Sequence, residues 1–186
     1  MSIWLFDGFN VFLVFTHLVP HATDIGFSAG EAATILSLMG GISIVGRVIM
    51  GRVSDSIGRK TTVIICSLLT AGATVWLIWA QDLWMLYLFA LVFGFAEGGL
   101  VPSITALVSD IFGLRNIGKI LGVQDIGFGI GAAIGPAIGG LIFDIRKDYS
   151  LAFLLGAGAI LIATLFVALI RREIVGPKQI LERETS

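Results

Sequence analysis

The chain has 186 residues, 56% of them hydrophobic and only 13% charged, with a mean hydropathy of +0.98. A soluble domain is roughly 25% charged, so about half the charge that wets such a surface is missing, which excludes a soluble globular fold. The net charge of −1 says nothing about partners, no basic stripe suggests nucleic acid, and the single cysteine, Cys66, excludes an intrachain disulfide.

A bilayer core of about 30 Å needs around 20 apolar residues as helix. The first candidate, residues 3–20, is the weakest of six, being short and carrying Asp7 near its start. It lacks the basic lead and small-residue cleavage site of a signal peptide, so it is read as a retained span. The segment PHATDIGFSAGE separates it from a second run, 30–50, and the decapeptide GRVSDSIGRK (51–60) separates that from a third, 61–80. After Gln81 and Asp82 comes the fourth, 83–108, then SDIFGLRNIGK, a fifth run at 119–143, FDIRKDYS, and a sixth at 151–170. The third and sixth hold no charged residue. These runs are continuously apolar, whereas strands of an outer-membrane barrel alternate, and irregular backbone cannot face lipid. The expected fold is therefore an all-α membrane protein: a six-transmembrane-helix bundle over 1–170, with a polar cytoplasmic tail at 171–186.

Lysines and arginines set the orientation. The segments 51–60 and 109–119 and the tail hold nine of the twelve, while the opposite connections hold only Arg146 and Lys147. By the positive-inside rule the first set faces the cytoplasm, which with six spans puts both termini there, in the cell's inner (plasma) membrane.

The charged decapeptide resembles the cytoplasmic signature of the major facilitator superfamily: a glycine, three residues, an aspartate, then Gly-Arg-Lys. GPAIGGLIFD (135–144) resembles a Gly-Pro-rich helix of the same carriers. Together with THLVPHATDIGFS, GRVIMGRVSD and GFAEGG, in that order, these stretches are most similar to bacterial members of the monocarboxylate transporter and oxalate/formate antiporter group. The resemblance implies the C-terminal half of a twelve-helix carrier, with the N-terminal half missing. It departs from the signature at Ser56, where a basic residue is common.

In the superfamily, the signature's aspartate and arginine latch the cytoplasmic side in one state, a role the resemblance gives to Asp55 and Arg59. On physical grounds, Gly51 permits close helix contact, Gly58 a tight turn, and Arg59 with Lys60 anchors the third span at the headgroups. Plain anchoring would explain the positive charges but not Asp55. Arg47 lies eight residues before Asp55, about 12 Å deeper along the helix, where a guanidinium is costly unless it faces a cavity or a carboxylate. Monocarboxylate carriers use an arginine at the matching place to hold the substrate carboxylate in its two-pronged fork. Their partner aspartate one turn earlier is Ser43 here. Snorkelling to the interface is the alternative for Arg47.

Glu97, near the middle of the fourth run, is a candidate proton carrier, a partner for Arg47, or a neutral acid packed against Gly94, Gly98 and Gly99. Asp125, nearer the cytoplasm, is expected in packing or gating. His17 and His21 stand four apart, but Pro20 is expected to interrupt them, and a wetted interfacial place fits better than a metal pair. GFGIGAAIGP lacks the spacing and the strand of a dinucleotide fingerprint and suits helix packing. No cofactor, metal site or nucleophile–base arrangement is expected, so the chain is not read as an enzyme. The expected function is half of an alternating-access carrier for a small organic anion, a monocarboxylate, by proton symport or anion exchange. Its partners would be the lipid bilayer, that anion, a proton or counter-anion, and a missing N-terminal half or a second copy. The alternative is a truncated, split-gene or accessory membrane protein that transports nothing by itself.

Overall fold

The computed structural model describes residues 2–113 and 117–169, and these form six helices: α1 (Ser2–Asp24), α2 (Ala29–Ile57), α3 (Arg59–Leu77), α4 (Leu83–Phe112), α5 (Ile117–Arg146) and α6 (Ser150–Leu169). All six are long and apolar enough to cross a membrane. α1, α2, α4 and α5 overrun the apolar runs that announce them, because polar ends that lie outside the hydrocarbon can still complete their backbone hydrogen bonds by winding on, whereas α3 stops three residues short of its run, at Leu77. α2, α4 and α5, at 29, 30 and 30 residues, extend about 45 Å at 1.5 Å per residue, beyond a core of about 30 Å. α3 and α6, at 19 and 20 residues, match the core. The tail from 171 lies outside the described residues.

Local chemistry fixes the ends. The α2 start is a capping box: Ser28 Oγ accepts from the Glu31 N–H at 3.2 Å, and the Ser28 N–H donates to Glu31 Oε2 at 2.9 Å. Only residues 25–28 separate α1 from α2, since α1 runs through Pro20 to Asp24. Between α2 and α3 a single residue, Gly58, is not helical, with φ of 95°, a region that side chains rarely tolerate. The charged decapeptide is thus mostly helix, not loop.

α1 packs most extensively on α5, and α2 on α4; α3 leans on α4 and α6, and α6 on α1. Exchanging the first three helices for the last three reproduces this pattern, so the bundle is two similar three-helix units that trade their second helices. Glycines make the two main contacts close. A Cβ on Gly46 would collide with the Phe95 carbonyl, and one on Gly98 with that of Ser43. In the other pair, Gly131 meets the Leu5 carbonyl and Gly135 that of Phe9. Small residues let backbones approach and gain dispersion contacts, the main driving force where lipid is as apolar as leucine. One core, around Leu13, Phe89, Phe93 and Phe153, fills one end of the bundle; another, around Val63, Leu100 and Ile104, fills the other. α2 and α5 are the least buried helices, exposing Val48 and Ile49 on one and Ile126 and Ile130 on the other.

Candidate functional site

At the joint between α2 and α3, Arg59 Nη1 meets Asp55 Oδ1 at 2.7 Å and its Nε donates to Asp110 Oδ2 at 3.1 Å. Arg59 and Lys60 open α3, where the helix dipole disfavours cations, and the two carboxylates offset that cost. Lys60 Nζ donates to the Ala168 carbonyl near the end of α6, where the dipole favours a cation. The expected pairing of Asp55 with Arg59 is therefore present, joined by Asp110 of α4, which sequence reading missed. The position was visible only as one of several charges in SDIFGLRNIGK. Gly51 does not have its expected role: a Cβ there would meet nothing within 4 Å. The close approach falls a little deeper on α2, at Gly46, because there the helix faces α4.

Arg47 is exposed on α2, and Asp125 is exposed on α5. Arg47 has no hydrogen-bond or ion-pair partner among the described residues. Asp125 is therefore not a packing residue in this bundle. Glu97 does not meet Arg47. It turns towards α3, where its Oε1 accepts a hydrogen bond from Thr70 Oγ1 at 3.0 Å. The glycines expected to surround it pack instead on α2 and α3: Gly94 on Met39, Gly98 on Ser43, Gly99 on Met50 and Cys66.

Glu97 belongs to a polar chain that crosses three helices. Thr74 Oγ1 donates to the Thr70 carbonyl at 2.9 Å and accepts from Asn10 Nδ2 of α1 at 3.3 Å. Asn10, Thr70 and Thr74 are fully buried. One turn from Asn10 lies Asp7, 1% exposed, with neither carboxyl oxygen hydrogen-bonded among the described residues. Sequence reading treated Asp7 as a flaw in the first span. The rule that singled out Arg47, that an ionisable group in a membrane helix has a reason, applied to it equally.

The two histidines are not wetted. Because α1 continues through Pro20, His17 and His21 share a face, both buried. His17 Nε2 lies 3.0 Å from the Pro136 carbonyl of α5. Both rings contact Tyr149, which stacks on Phe143 at 4.4 Å between centroids. Burial and the nearby charges of Asp24 and Asp144 push the Tyr149 phenol above its ordinary range. Among the described residues no cluster of three His, Cys, Asp or Glu could hold a metal. Within GFGIGAAIGP, Gly131 and Gly135 pack on α1, which is the helix-packing role expected.

Residues 2–185 match the family described as Major Facilitator Superfamily. The chain belongs to that superfamily. Six apolar helices and no strand among the described residues fit half of its twelve-helix fold, and the chain is a multi-pass membrane protein. It is 29% identical over 175 residues to human monocarboxylate transporter 12, covering 90% of this chain and 34% of the relative. The Xenopus laevis transporter of the same name is 28% identical over 170 residues, covering 89% and 37%. A gentisate transporter from Corynebacterium glutamicum is 27% identical over 150 residues, covering 81% and 34%. The chain thus spans about a third of the length of these relatives. Superfamily and relatives alike are transporters rather than enzymes.

Proposed function

We propose that this chain is the C-terminal six-helix half of a secondary transporter that moves a small organic anion, a monocarboxylate, across the cell's inner (plasma) membrane with both termini cytoplasmic. The observation that carries the reading is Arg47. It stands within a membrane-spanning helix, on an exposed side, with no partner among the described residues. In hydrocarbon such a charge is costly, and opposite a second half it would line the pathway and grip a carboxylate with two parallel hydrogen bonds. The names of the relatives, monocarboxylate and gentisate transporters, support the substrate class. The six-helix partner would be an N-terminal half, and alternating access would rock one half against the other about the site between them. The Asp55–Arg59–Asp110 cluster would hold the cytoplasmic ends of α2, α3 and α4 together in one state and loosen in the other. Gly58 would be the joint.

The test is uptake of a labelled monocarboxylate by the complete carrier in proteoliposomes. Arg47→Ala is expected to abolish it, while unchanged uptake overturns the assignment. A second reading, a chain that transports nothing by itself, predicts a different outcome of the same assay. Uptake only when a separate six-helix partner is supplied supports a split carrier. No uptake with any such partner supports an accessory protein.

A further inference from the structure

At the end of the bundle where α2 meets α3, five helices leave a cavity of about 280 Å³ between them. Ile3 of α1, Val63 of α3, Ile104 of α4, Gln124 of α5 and Val167 of α6 contribute to its wall, and all five are buried. Among the described residues Gln124 is the only polar side chain in that wall. It is 6% exposed, and its Oε1 is shut off from solvent with no hydrogen-bond partner among them. Buried amide oxygens are nearly always paired, because an unpaired one loses its hydration and regains nothing. Water is a poor remedy here, since a bridging water needs two or more polar partners and this wall offers one polar side chain.

The wall suits an organic guest with an apolar body and one group that can meet an amide. A hydroxyl fits, since it donates to the amide oxygen or accepts from the amide nitrogen as the terminal amide turns. An apolar cavity of about 150 Å³ takes a benzene ring, so this one has room for two rings. Phe112 and Phe166 also line it but are exposed, which puts them at its mouth, where their rings can meet an aromatic face edge-on. A phospholipid would enter tail first and leave the amide unmet. We propose that this cavity binds a lipid-soluble aryl alcohol, with Gln124 taking its hydroxyl. The site adjoins the charged joint. Val63 lies one turn from Arg59, Phe112 follows closely on Asp110, and Val167 precedes Ala168, whose carbonyl takes Lys60. A guest therefore braces the ends of α3, α4 and α6 that those charges also tie. The binding stands without the transport reading above; a braking effect on uptake rests on it.

The probe is para-hydroxybenzophenone, a two-ring phenol that attaches to nearby C–H groups on irradiation, applied to the full chain in lipid nanodiscs. Saturable labelling is expected on α4 between Ile104 and Phe112, displaced by naphthol and not by naphthalene. Gln124→Leu should raise the half-labelling concentration about tenfold, the worth of one good hydrogen bond. The same variant should leave labelling by benzophenone itself, which lacks the hydroxyl, unchanged. Val108→Trp, which fills the cavity from another wall, should remove labelling by the phenol. Labelling of the unaltered chain that benzophenone matches, or that spreads over exposed positions such as Ile126 and Ile130, overturns the proposal, even if the variants fail to fold. So does a photoreactive phospholipid tail that labels the same stretch as strongly. If labelling behaves as expected but naphthol does not slow uptake by the complete carrier, the binding site stands and the brake falls.

Discussion

Arg59 holds two carboxylates at once, but its side chain is 29% exposed and those of Asp55 and Asp110 are 66% and 55% exposed. Solvent screens such pairs, and each contributes at most about 1 kcal/mol. Asp110→Asn should therefore move the unfolding midpoint little, while changing the rate at which the complete carrier turns over, because a weak contact can still bias two states of similar energy. Thermal unfolding in detergent alongside transport rates checks the contrast; a large loss of stability would make the cluster a structural brace. The same scale shows what sequence could convey. Asp55 was legible because its spacing from the glycines and arginine is a fixed pattern. Asp7 was not recognised, because hydropathy averages a single charge into its neighbours.

Whole helices are held by where their glycines fall. Gly98 and Gly131 lie against the backbone of the neighbouring helix, whereas Gly51 has open space beside it. Gly131→Leu should cost about 3 kcal/mol or more by overpacking the α1–α5 contact. Gly51→Ala should stabilise α2 by up to about 1 kcal/mol, since alanine is the better helix former. Unfolding midpoints of the two variants decide it, and equal effects would refute the distinction. At the opposite end, Tyr149→Ala should destabilise by about 3 kcal/mol through loss of its stack on Phe143, and Tyr149→Phe should not. Helix existence was plain from apolar run length. Helix ends were not, because winding on past the hydrocarbon edge depends on caps and water rather than on hydropathy. Which glycines carry contacts was equally hidden, since a sequence shows small residues without showing what faces them.

For the molecule as a whole, the trade of second helices between the two three-helix units leaves α2 and α5 with their sides open. Val48→Cys and Ile126→Cys should react with a thiol reagent in the chain alone and be shielded in a complete carrier. Cys66 is buried and should stay silent in both. Equal reactivity in the two preparations would place the second half elsewhere. The single-residue joint at Gly58 has a consequence for how the protein is made. With no slack between them, α2 cannot settle in the bilayer while α3 waits outside on a tether. The translocation machinery must accept the two as one hairpin, so a lengthened connection at this point would change the order of membrane insertion before it changed anything about the finished fold.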